Sequence, residues 1–203
     1  MQMKNKWIIA LLVTGLILFL TIQGAVKPYL NKQELVYEEQ QQSPLTHDFS
    51  KLLAFQHPYM GNASNLSNLN NRLPLFRDLS FTFQLYPDDL HAQLIFTEPA
   101  AFLDSSSRGQ AFMYNVTANF VLIDNLQRLT LQFPDQEYTF VRDKVAEWYG
   151  EADLSTLRDE DLWDNRVRNG LHNADVVEHF MEQTAVIQTK SALAPSTLSA
   201  SLY

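Results

Sequence analysis

The run Trp7 to Val26 (WIIALLVTGLILFLTIQGAV) constrains this chain most: it holds no charge and one strongly polar side chain, Gln23. At about 1.5 Å per residue, a helix of these residues reaches roughly 30 Å, the thickness of a bilayer core. It is apolar on every side and lacks the polar face of an ordinary surface helix. Lys4 and Lys6 precede it and Lys27 follows, so positive charge is heavier on the N-terminal side. That bias predicts a single pass in the cell membrane, with the N-terminus cytoplasmic and the rest of the chain outside. The rival reading is a cleaved secretory signal, which requires small residues at the cleavage site; Gln23-Gly24-Ala25 fits poorly, and the uncleaved anchor is preferred.

With the anchor set aside, the electrostatics change. The 203-residue chain carries a formal −8, but residues 1–27 contain three lysines and no acid, leaving 12 basic against 23 acidic residues, or −11. Between Asp135 and Glu182 there are 13 acids and five bases. Such a surface keeps a domain soluble and away from anionic lipid. It also argues against nucleic acid, whose binding needs clustered Lys and Arg. Cysteine is absent, which excludes disulfide staples, thiolate metal sites, a cysteine nucleophile and lipidation at a cysteine. A hydrophobic content of 46% excludes long disorder.

The organisation reads as a stub and anchor over 1–27, a Gln- and Glu-rich linker or loose helix over 28–47, an exported domain over 48–188 and a small, polar tail over 189–203. In the domain, Leu66, Leu69 and Leu73 share one helical face before Pro74, with Asn62 or Ser64 as cap. Ser80–Tyr86 and Ala92–Thr97 alternate about Pro87-Asp88-Asp89 and predict a β-hairpin. Ala111–Asp124 exceeds a usual strand length, so it divides into a strand to Tyr114 and a helix capped by Asn115. Arg128–Pro134 reads as a strand. Thr139 reads as the cap of a helix over Phe140–Tyr149, with Val141, Val145 and the core tryptophan Trp148 on one face and Gly150 as its stop. Residues 155–169 read as helical with Leu162 and Trp163 inward, and Asn173 caps a last helix bearing Val177, Phe180, Met181 and Thr184. Strands and helices without regular alternation predict α+β, with a mixed or antiparallel sheet covered by helices.

Three stretches carry a resemblance. They are His57-Pro58-Tyr59-Met60-Gly61-Asn62-Ala63-Ser64 closing at Leu73-Pro74, Tyr114-Asn115-Val116-Thr117 on to Asp124-Asn125, and Tyr138–Gly150 ending in Trp148-Tyr149-Gly150. Together they resemble domain of unknown function 4825 over about residues 48–182. The resemblance implies an anchored or lipidated exported protein of Gram-positive bacteria, a domain also found joined to antirepressor-type membrane metallopeptidases that sense antibiotics, and no established activity. The sequence departs from that pattern at Asn62, where an Asp is usual, and in lacking the lipidated cysteine.

Catalytic signatures are missing: there is no Gly-rich phosphate loop, no GxSxG turn and no HExxH. Asp88, Asp89 and His91 could form an acid/base or metal face, although such residues are ordinary in turns. His172 and His179 lie seven apart, not the four of a helical metal pair, with Glu178 between them. Tyr59, Gly61, Asn62 and Ser64 form the preferred candidate for binding a partner or ligand, since a glycine turn feeding a helix start presents free N–H groups; a turn and a cap would need the same residues. Asn62, Asn65 and Asn115 head N-x-S/T sequons, which the bacterial origin implied by the resemblance makes chance matches. The expectation is a noncatalytic binding, sensing or interaction module without cofactor, held to the bilayer by residues 7–26. A metallopeptidase sensor is its suggested partner, and an envelope hydrolase acting through Asp88, Asp89 and His91 is the alternative.

Overall fold

The computed structural model describes residues 2–190 and divides after Gln40 into two compact units. In the first unit, α1 (Gln2–Thr21) passes through a π turn at Ile22–Val26 into α2 (Lys27–Gln40). Lys6–Gln40 is one 35-residue helical run, long and apolar enough to cross a membrane. At about 1.5 Å per residue it measures roughly 52 Å, more than a bilayer core requires.

The second unit begins at Gln41, whose side chain accepts a bond from Asp48 N at 3.0 Å. Asp48 caps a 3-10 turn over Phe49–Phe55 by accepting from Ser50 N at 3.1 Å. Between them His47 is buried, with Nε2 3.1 Å from the Arg72 carbonyl and Nδ1 2.9 Å from the Tyr114 hydroxyl. A carbonyl only accepts, so Nε2 carries the proton and the Tyr114 hydroxyl donates to Nδ1. Burial pulls the His47 pKa from 6.5 down to about 4, against the help of the Arg72 carbonyl. The folded state therefore binds fewer protons than the unfolded state across that interval, and the stability from neutral His47 is complete above pH 6.5 and lost as pH falls towards 4. The expected loss is about 3 kcal/mol, read as a fall in denaturation midpoint. His47→Gln should flatten this part of the profile; an unchanged profile would exclude His47 as its source.

Helix α3 (Ala63–Asn70) is capped by Asn62, whose side chain accepts from Asn65 N at 3.1 Å, and it buries Leu66 and Leu69, with Leu73 beyond its end. The hairpin β1 (Phe81–Tyr86) and β2 (His91–Phe96) follows the expected alternation. The next helix departs from expectation. Ala111–Tyr114 is not a strand and Asn115 is not a cap: α4 (Ser105–Leu122) is one helix, capped by Asp104 through Ser107 N at 3.0 Å. Every residue from Ala111 to Leu122 is buried, so it has no polar face and no 3.6-residue alternation to reveal it.

Strand β3 (Arg128–Gln132) runs parallel to β2, and β4 (Gln136–Val141) returns antiparallel to β3. Thr139 and Phe140 belong to this strand, so the helix read as starting at Phe140 is α5 (Arg142–Tyr149), with no side-chain cap from Thr139. Cross-strand pairing won over local helical spacing: Phe140 packs opposite Leu129, and the Thr139 hydroxyl meets that of Thr130 at 3.0 Å. Gly150 takes φ 67°, the left-handed stop that glycine allows. Trp148 is half-buried against Phe180, and the buried core tryptophan is Trp163.

Residues 155–169 are not one helix. A 3-10 turn over Leu154–Arg158 leads to α6 (Glu160–Trp163), a π turn over Asp164–Arg168 and α7 (Asn169–Leu171), and Leu162 points outward at 39% exposure. Asn173 caps α8 (Ala174–Thr184) as expected, and β5 (Ala185–Thr189), unread in the sequence, pairs with β4. Residues 191–203, most of the stretch read as a tail, lie outside the described residues.

The domain is therefore α+β, with a five-stranded mixed sheet in chain order β1 to β5, antiparallel except between β2 and β3. On its helix-bearing face, Phe112 of α4 meets Tyr138 at 4.9 Å, and Phe180 of α8 lies 6.4 Å from Phe140. The opposite face bears polar side chains that bond to one another, including Gln93 to Gln132 and His91 to Thr130.

Because α4 is enclosed, water cannot satisfy the carbonyls of its last turn, and four partners do so instead. Ile123 N takes Asn119 O at 3.0 Å, Arg142 takes Phe120 O at 2.6 Å, Arg158 takes Val121 O at 2.9 Å and His57 N takes Leu122 O at 2.8 Å. Both guanidinium groups also place positive charge at the negative end of the helix dipole.

Candidate functional site

Between the N-terminal half of α4, α8 and the β4–β5 corner of the sheet lies a cleft of about 890 Å³. Its apolar lining comes from Phe112, Val177, Met181, Ala185 and Ile187. Polar groups share the lining: Ser105, Arg108 and Gln110 from α4, Gln136 and Tyr138 from β4, His172 before α8, and Glu178 and Glu182 on α8. Gly109 allows α4 and α8 to meet here, since a Cβ would stand 2.9 Å from Val177 Cγ1. Arg108 is braced by donating to Ala100 O at 2.7 Å. Burial raises the Tyr138 pKa, which keeps this hydroxyl protonated. An apolar lining with convergent polar groups suits an amphipathic ligand or a partner's side chains.

The residues singled out in the sequence lie elsewhere. Tyr59, Gly61, Asn62 and Ser64 are brought together in one loop and helix start, with Tyr59 66% exposed and Asn62 acting as the α3 cap. Ser64 borders a shallow depression with Ala63, Ser67, Asn68 and Phe83. Asp88 and Asp89 are exposed in the hairpin turn. His91 begins β2, with Nε2 2.9 Å from Thr130 Oγ1 and its ring stacked on Tyr86; burial, then Arg128, lowers its pKa. His172 and Glu178 line the cleft, while His179 Nδ1 lies 2.7 Å from Asp175 O. Among the described residues no group of three or more His, Asp or Glu side chains is arranged to hold a metal ion. Arg108, Tyr138 and Ile187 were not recognised from sequence; the one local signal was Asp104 followed by three serines, an unread helix start.

The His57 loop is stapled to the end of α4. His57 N donates to Leu122 O at 2.8 Å, Asp124 N to His57 O at 3.0 Å, and Met60 N to the Asn125 side chain at 2.6 Å. The first two of the three resembling stretches are thus one structural unit. Residues 52–143 match the family model of a domain of unknown function, DUF4825. No curated protein and no solved structure matches the chain. The DUF4825 segment begins in the 3-10 turn at Leu52 and ends at Asp143, just past Arg142, so it contains α3, α4 and β1 to β4. One wall of the cleft, made of α8 and β5, lies beyond the DUF4825 match.

Proposed function

We propose that this protein is a membrane-anchored, noncatalytic module of the bacterial cell envelope that binds a ligand or partner protein outside the cytoplasm. The observation that carries this reading is the amphipathic cleft between α4, α8 and β5, in the unit that follows a helix long enough to span a bilayer. The amino terminus with Lys4 and Lys6 before the apolar run, against Lys27 and Lys32 after it, supports an outward-facing domain. Envelope-stress or antibiotic-response signalling, through a metallopeptidase sensor, is the role its family resemblance suggests.

The test places a photocrosslinking residue at Met181, within the cleft, and at Gln84, on the opposite sheet face, of the full-length protein in intact membranes. The Met181 position is expected to trap a discrete partner or ligand that Gln84 does not. Ile187→Glu puts a charge among the apolar cleft residues at a site already 51% exposed. It should cut the Met181 adduct about tenfold without moving the melting temperature. An adduct from Gln84 alone, or one at Met181 indifferent to Ile187→Glu, would refute the assignment.

A further inference from the structure

Strand β5 is an edge of the sheet, and the phase of its hydrogen bonds follows from the ladders beside it. Lys190 N donates to Asp135 O at 2.8 Å, and Gln188 and Val186 stand in the same antiparallel register opposite Glu137 and Thr139. Antiparallel partners alternate between bonded and unbonded pairs, so these three residues turn their backbone groups towards β4. Phe133 N, donating to Gln136 O at 2.8 Å, sets the complementary phase on the β3 side of β4. The outward groups of β5 are therefore the Ala185 carbonyl and the N–H and C=O of Ile187 and Thr189. The Ala185 N–H is already taken by Met181 O. Nothing in the strand guards this edge: Ala185–Thr189 (AVIQT) has neither the charge nor the proline that usually blocks pairing with another chain. Val186 and Ile187 are 59% and 51% exposed. At the opposite edge of the sheet, Phe83 of β1 shares a depression with four residues of α3.

The edge and the larger cleft form one surface. Helix α8 passes into β5 without a linker, at Thr184 and Ala185, and both arms line the cleft. Ala185 and Ile187 contribute from the strand, and Met181, Glu178 and Glu182 from the helix. A strand laid along β5 directs every second side chain into this space. Among the described residues no cation pairs with Glu178 or Glu182. The side chain that fits has an apolar stem for Met181 and Ile187 and a positive end for the two glutamates, which is the build of lysine and arginine. A second copy paired edge to edge would bring another acidic α8 to the same groove. Residues 191–203 contain no basic side chain to offer it.

We propose that β5 and the larger cleft together take an extended peptide of a partner protein as a sixth strand, with lysine or arginine at alternate positions. The peptide backbone bonds to Ile187 and Thr189, its basic side chains reach Glu178 and Glu182, and the side chains between them face Val186. This deepens the role assigned to the cleft and rests on it.

The experiment is fluorescence polarisation of a labelled heptapeptide of alternating valine and lysine against the full-length protein in neutral detergent micelles. Two further peptides carry N-methyl groups, one at its lysines and the other at its valines. Strand addition uses the N–H groups of one alternating set only, so one methylated peptide should bind about tenfold more weakly while the other matches the parent, at identical charge. Thr189→Pro removes an outward N–H and no side chain that lines the cleft, and Glu178→Gln with Glu182→Gln removes the charge. Each change should weaken the parent peptide about tenfold. Equal affinities or no binding across the three peptides would overturn the proposal, and this comparison decides should Thr189→Pro lower the melting temperature. In intact membranes Thr189→Pro should also reduce the Met181 adduct; an adduct indifferent to it would leave the cleft a binding site and remove strand addition. A gain in peptide affinity on deleting residues 191–203, or a dimer that the peptide disperses, would give the edge to those residues or to a second copy and would equally overturn the assignment.

Discussion

Arg142→Met is expected to destabilise the domain by about 3 kcal/mol, read from chemical denaturation of the full-length protein in detergent by tryptophan emission. Arg142 donates to Phe120 O and Ile123 O at 2.6 Å and to Leu126 O at 2.7 Å, and its guanidinium lies 5.5 Å from the Phe120 ring centre. Methionine preserves much of the stem packing and leaves three carbonyls, Phe120 in the last turn of α4 and Ile123 and Leu126 just beyond it, without that donor. Unsatisfied buried acceptors cost about 1–3 kcal/mol each, and partial relaxation brings the sum towards the lower bound. Arg142→Lys, a point charge that cannot reproduce the guanidinium fork, should fall between the two. A loss below about 1 kcal/mol for Arg142→Met would show that water reaches the end of α4 after all.

Asn119→Ala should cost a similar amount, about 3 kcal/mol, for a different reason. Asn70 and Asn119, both fully buried, exchange reciprocal amide bonds of 3.0 Å between α3 and α4. Each also holds a carbonyl of its own helix, Asn70 that of Leu66 and Asn119 that of Asn115. Removing one amide strands half of the other in an apolar core. Removing both strands neither, so Asn70→Ala with Asn119→Ala together should cost about 4 kcal/mol and not the additive value of about 6, a coupling near 2. Strict additivity in denaturant midpoints would mean that the pair does not act as a unit.

The sequence was legible where an element has one wet face and one dry face. Leu66 and Leu69, the alternation of Phe81, Phe83 and Leu85, the Asn62 and Asn173 caps and the Gly150 stop appear as read, although α3 ends at Asn70, one residue before its cap Asn71, and leaves Leu73 outside the helix. It was illegible where burial is all-round or where long-range pairing decides. Ala111–Leu122 has no wet face, so periodicity cannot mark it as helix. Thr139, Val141 and Val145 have helical spacing and a plausible cap, yet β3 and β5 on either side make the first two strand residues. Nothing local identifies β5, whose place depends on β4. The large cleft was hidden for the same reason: its lining comes from α4, β4, α8 and β5, with Gly109 setting the approach of the helices.

The sheet also imposes an order of assembly. Pairs β1–β2 and β3–β4 each close over a short turn and can zip early, whereas the parallel contact of β2 with β3 waits for the chain between them, all of α4 included, to be gathered in. Loop-closure entropy must be met before that distant pairing gives anything back, which makes the seam the slow step. Until it forms, two hairpins expose unpaired edges and α4 exposes the apolar side chains from Ala111 to Leu122 that the finished domain encloses. The lifetime of that open state, more than the strength of the finished core, sets how much of the protein is lost to aggregation during its synthesis.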